Sequence, residues 1–139
     1  MVSTMAAVIA LVVATSRSSG SSSAPPSTAP TYSAAEVAAA HQKLCETYKL
    51  VARAVQIETH GSSPERAGIA EVNGALMLEG AVNSAPAMTP GDRNAAAALA
   101  DTYKNIAAVA SLNDFSIWQP ALDDANAKEA AMKQVCSGG

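Results

Sequence analysis

The stretch from Ser33 to His60, SAAEVAAAHQKLCETYKLVARAVQIETH, constrains the fold more than any other part of the chain. Ser33 and Glu36 have the spacing of a capping box, in which the serine hydroxyl accepts from the Glu36 amide while the glutamate reaches back to the Ser33 amide. Val37, His41, Leu44, Tyr48, Val51 and Val55 then recur at steps of four and three, which is one face of a helix. Lys43, Glu46, Lys49, Arg53 and Glu58 fall mostly on the other side. Gly61 supplies the residue after the helix end, and a cationic His60 suits a helix C-terminus.

Three further helices are readable. Ser63-Pro64-Glu65 places serine as N-cap, proline at the first helical position and an acid in the first turn. Ile69, Val72, Leu76 and Glu79 or Gly80 mark the expected inner stripe of this second helix, with Met77 and Val82 at its edges. Gly68, Gly74 and Gly80 each weaken it by about 1 kcal/mol relative to Ala, which points to close approach of a neighbouring helix. Thr89-Pro90-Gly91-Asp92 repeats the start signal for a third helix with an inner face of Ala95, Leu99, Tyr103, Ile106 and Ala110, and Asn113 is the expected stop. A fourth runs from about Ser116 to Cys136, with Ser116 and Gln119 as a second capping box and Pro120 tolerated near the first turn. Asp124 to Lys128 and Glu129 to Lys133 are acid-before-base pairs four residues apart.

Short connections between helices of similar length favour antiparallel neighbours, so the expected fold is all-α, an up-down-up-down four-helix bundle over residues 33–137. Hydrophobic residues make up 49% of the chain but aromatic ones only 4%, and alanine supplies much of the apolar share. Alanine favours helix yet buries little area, so the core is thin. In this topology the end of the fourth helix lies near the start of the first, which brings Cys45 and Cys136 within reach after a shift of about a turn. They form either one bridge or two buried thiols, depending on the compartment. A bridge would close a loop of about 90 residues, worth on the order of 4 kcal/mol in the chain-entropy treatment.

The N-terminal region bears on that compartment. Met5–Ala14, MAAVIALVVA, is continuously apolar, and its length suits the core of a signal peptide better than a full membrane span of about 20 residues. A basic start is missing; Val12 and Ala14 nevertheless fit a small-residue cleavage site. Residues 1–16 are therefore expected to be a signal peptide or the outer part of a membrane anchor whose start lies upstream. Residues 17–32 are rich in Ser, Thr and Pro and are expected to form a disordered linker of the composition found in O-glycosylated stalks. From Glu36 onward the chain carries eight basic and twelve acidic side chains, a net charge of −4. That disfavours nucleic acid as a partner and limits membrane contact to the N-terminal segment.

Chemistry-bearing residues are sparse. No G-x-S-x-G, H-E-x-x-H, P-loop or dinucleotide pattern occurs, and no catalytic residue, metal site or cofactor is expected. His41 on the inner stripe reads as a packing histidine with a hydrogen bond, and His60 as a helix-end residue. Glu46–Ala52 (ETYKLVA) and Asp101–Ala107 (DTYKNIA) form a weak internal repeat that sets Tyr48 and Tyr103 in comparable layers. Their rings are expected in the core with hydroxyls at its edge. Phe115, Ile117 and Trp118 form the one dense aromatic patch, read as a lid over the end of the bundle or as a contact site.

The apolar start, the SSGSSSAPPSTAPTYS spacer, AAEVAAAHQKLCETYKLVARAV and the terminal KQVCSGG together resemble the uncharacterised alanine-rich exported or membrane-anchored proteins of mycobacteria and related actinobacteria. The resemblance covers most of the chain and implies an extracytoplasmic location at the cell envelope, with no assigned activity. The expected function is a non-enzymatic helical module that binds a protein or cell-envelope component. The alternative is a carrier of an apolar small ligand or haem in a pocket lined by His41, Tyr48, Leu76, Met77 and Tyr103.

Overall fold

The structure, a computed structural model, describes residues 29–138. The expected signal peptide or anchor and most of the expected linker lie outside the described residues. From Thr31 onward the chain forms one compact unit. It is an antiparallel four-helix bundle of α1 (Ala34–Thr59), α2 (Pro64–Ser84), α3 (Pro90–Ala110) and α4 (Phe115–Ser137).

The first helix starts as its sequence dictates, with the capping box complete: Glu36 donates its amide to the Ser33 hydroxyl at 3.2 Å, and the Ser33 amide donates to the Glu36 carboxylate at 2.7 Å. At the other end the His60 ring sits 2.7 Å from the Gln56 carbonyl, as a helix-end residue should. Thr89 caps α3 by accepting the Asp92 amide at 3.1 Å. Ser63 occupies the N-cap position of α2 without a side-chain bond. The start of α4 differs from expectation. Asp114, not Ser116, is its cap, and the Asp114 carboxylate accepts both the amide and the hydroxyl of Ser116. A charged acceptor outcompetes a hydroxyl for the free amides at a helix N-terminus. Asn113 ends the α3–α4 turn at φ 52°, in the left-handed region that asparagine tolerates best after glycine.

Leu44, Tyr48, Val51 and Val55 of α1 are buried as their spacing requires, while Val37 and His41 are half-buried near the helix start. In α3, Leu99, Tyr103 and Ile106 point inward as expected; Ala96 and Ala100 join them, while Ala95 is half-buried and Ala110 is exposed. The second helix is rotated relative to its expected stripe. Ile69 and Leu76 are 60% and 58% exposed, and Val72 and Met77 also face outward. The buried face is Glu71, Gly74, Ala75, Leu78, Ala81 and Val82.

The reason is the position of α2 between α1 and α3, both of which it packs against along its length. Small residues let two neighbours approach together. A Cβ built on Gly74 would lie 2.6 Å from a Val51 methyl, whereas at Gly68 and Gly80 it would meet nothing within 4 Å. Close approach therefore explains Gly74 alone.

The fourth helix contributes little apolar bulk. Ala121, Ala125 and Met132 are its buried residues. Thr102 donates to Asp124 at 2.9 Å, and Tyr48 donates to the Glu129 carbonyl at 3.3 Å. The first and last helices touch sparsely except where Cys45 and Cys136 are disulfide-bonded, with Cα atoms 5.3 Å apart and a sequence separation of 91. Burying Met132 is worth about 2 kcal/mol and each alanine less, so the bridge rivals the whole apolar contribution of α4.

Two expectations follow. Reducing the disulfide, or replacing both cysteines with serine, should lower unfolding free energy by about 4 kcal/mol in a urea titration, with amides of α4 losing hydrogen-exchange protection first. Gly74→Ala should destabilise by about 1–3 kcal/mol because Val51 must move, whereas Gly80→Ala should stabilise by up to about 1 kcal/mol. Paired thermal melts of the two variants check this difference of sign.

Candidate functional site

Because neighbours alternate in direction, the end of α1, the start of α2, the end of α3 and the start of α4 meet at one end of the bundle. There, away from the disulfide, they leave a cleft of about 490 Å³. Val55 and the His60–Ser63 turn form one wall, Ala67, Gly68 and Glu71 of α2 another, Tyr103 and Ile106 of α3 the floor, and Trp118, Leu122 and Glu129 of α4 the far wall.

Around Tyr103 of α3 each of the other helices supplies one polar side chain, Tyr48, Glu71 and Glu129, the last two lining the cleft with it. Tyr103 is only 2% exposed, and among the described residues its hydroxyl has no hydrogen-bond partner. A buried hydroxyl left unpaired carries a desolvation cost of about 1–3 kcal/mol. Burial, followed by the nearby Glu129, Tyr48 and Glu71, pushes the Tyr103 phenol well above its ordinary value. Burial and Glu129 push Tyr48 in the same direction.

Glu71 is 7% exposed and, among the described residues, has no hydrogen bond or ion pair. Burial alone pushes its carboxyl up to about 7. Glu129 is also raised by burial, an effect that Lys133 partly offsets. Of the two acid-before-base pairs expected on α4, Asp124 and Lys128 meet at 3.5 Å, while Glu129 lines the cleft. This group of side chains can bond, pair with charge and exchange a proton near neutral pH.

Sequence reasoning named Tyr48 and Tyr103 but missed Glu71 and Glu129. Glu71 was hidden by the misplaced stripe of α2: once Gly74, Ala75 and Leu78 are taken as the inward face, position 71 falls on it. Tyr48 and Tyr103, the tyrosines of the two T-Y-K segments, lie near each other and near Glu129.

The other candidate residues lie apart from this group. His41 places Nδ1 2.9 Å from Asp92 of α3 and Nε2 3.7 Å from the Cys45 sulfur, at the disulfide end of the bundle. Leu76 is on the outside, and Met77 borders a shallow apolar groove with Leu50 and Ile69 between α1 and α2. His41, Tyr48, Leu76, Met77 and Tyr103 therefore do not enclose one pocket. Nor do His41, Tyr48 and His60 converge as ligands of a haem iron would. In the aromatic patch Phe115 is 72% exposed and stacks on Trp118 with ring centroids 5.9 Å apart, Ile117 is partly exposed, and Trp118 turns into the cleft. No family model, curated protein or solved structure matches the chain.

The raised carboxyl of Glu71 predicts a pH dependence of stability. Its folded-state value lies above its unfolded one, so its contribution is fully favourable below the unfolded value and is lost as pH rises toward about 7. Glu71→Gln, which never ionises, should match the parent protein in acid and exceed it above neutrality. The gain should be on the order of 2 kcal/mol once access of cleft water is allowed for. Denaturant titrations of both proteins at pH 4 and pH 8 measure the difference.

Proposed function

We propose that the domain is a non-enzymatic extracytoplasmic binding module that holds a small molecule in the cleft at the loop end of the bundle. The observation that carries this reading is the unpartnered, buried Tyr103 hydroxyl at the floor of an open cleft of about 490 Å³. That volume is in the range of small-molecule sites, and an apolar wall with a few convergent polar groups is their usual lining. Export is supported by the disulfide, since such bonds persist in oxidising compartments, and by the resemblance to alanine-rich envelope proteins of actinobacteria.

A second reading, docking of a protein or cell-envelope component, is favoured by the outward face of α1 and α2. Leu50, Ile57, Ile69, Val72, Leu76 and Met77 are all exposed there. The cleft is preferred because it combines enclosure with the unpartnered Tyr103 hydroxyl, whereas the outer face is shallow.

The two readings separate in one experiment. A mixed fragment library screened by NMR against the oxidised protein should shift the indole N–H of Trp118, the single tryptophan, together with methyls of Val55, Ile106 and Leu122. Gly68→Leu, which adds a side chain at the cleft wall where there is open space, should abolish those shifts without lowering the melting temperature. Shifts confined to Ile69, Leu76 and Met77 would transfer the function to the outer face.

A further inference from the structure

We infer that the occupant of the cleft is a small organic cation, a protonated amine carried on an apolar or aromatic body. The inference rests on the cleft being the binding site and adds the chemical class. Three carboxylates line the cleft, Glu58, Glu71 and Glu129, and no lysine or arginine does. Glu58 is already held by Arg66 through two hydrogen bonds, at 2.8 and 2.5 Å. Glu71 has no such partner among the described residues, and Glu129 has only the more distant charge of Lys133.

A buried carboxylate is tolerated when it is paired and costly when it is not. An incoming ammonium supplies the missing charge, a neutral ligand leaves it missing, and an anion adds repulsion. The Tyr103 hydroxyl fits the same occupant, because a phenol oxygen can accept an ammonium N–H while donating to a carboxylate. Trp118 offers an aromatic face, the preferred platform for a cation. Val55, Ile106 and Leu122 suit the apolar body.

The groups facing Glu71 also define the pH response. Tyr48 and Tyr103 are neutral throughout the working range, Glu58 is occupied by Arg66, Glu129 acts in the same sense as Glu71, and His60 stands at the rim. Cation affinity therefore rises with pH. For a single carboxyl ionising at about 7 the increase between pH 6 and pH 8 is about tenfold.

The test titrates 2-phenylethylammonium and its neutral isostere 2-phenylethanol into the oxidised full chain, following Trp118 fluorescence and its indole N–H shift. The ammonium should bind saturably and more tightly than the alcohol. Glu71→Gln should weaken it at least tenfold and flatten the pH profile, Glu129→Gln should weaken it less, and His60→Gln should leave the profile rising. Melting temperatures of the variants report that the fold is retained. If the alcohol binds as well as the ammonium, or if Glu71→Gln and Glu129→Gln both keep full affinity, the cationic class is wrong while the cleft stands. If neither probe perturbs Trp118, both the class and the cleft are refuted.

Discussion

The bundle depends on the bond between Cys45 and Cys136. Consecutive helices pack along their lengths, but α1 and α4 are the two ends of the chain of contacts, and little apolar surface joins them. An alanine-rich α4 cannot supply what a leucine-rich one would, because the transfer free energy of a buried side chain scales with its apolar area. The covalent tie replaces that missing area at one end of the seam, with the Tyr48 hydroxyl bond to the Glu129 carbonyl adding a second clasp further along. Beyond these the helices separate, and the cleft opens on the side remote from the disulfide. A thin core and an open cleft thus have the same origin.

The polar group around Tyr103 is costly by every stability criterion. Tyr103 has an orphan hydroxyl, Glu71 a buried carboxyl without a cation, and Glu129 a carboxyl held above its ordinary value by burial. Several polar side chains elsewhere in the bundle are paired. Lys104 is bonded to Glu79 and Asp101, Arg93 donates to the last carbonyls of α2 at Val82 and Ala85, and His41 is paired with Asp92. On the proposed reading, the partner that the Tyr103 hydroxyl lacks among the described residues comes from outside.

Much of this was legible in advance, and the failures have a shared cause. The capping box at Ser33, the Pro-led starts of α2 and α3 and the inward run of Leu44, Tyr48, Val51 and Val55 depend on interactions within a few residues, which sequence states directly; α3 ends at Ala110, three residues before the expected stop at Asn113. The α4 cap was misplaced by two residues because Asp114 and Ser116 compete for the same amides. The expected α2 stripe differs from the buried one because the largest apolar side chains of this helix do not mark its inside. In a helix clasped by two neighbours the inside is marked by the smallest, and Gly74 with its 2.6 Å approach to Val51 is the clearest instance. Glu71 followed the stripe, so the centre of the candidate site was lost with it.

By itself the sequence determined four helices, their order and alternating direction, and a pair of cysteines placed to join the first to the last. Those properties follow from local hydrogen bonding, periodicity and short connections. Only the tertiary structure decided which side of α2 is buried, because that depends on how closely α1 and α3 approach it. The burial of Glu71 and its approach to Tyr103 follow from that one rotation of α2.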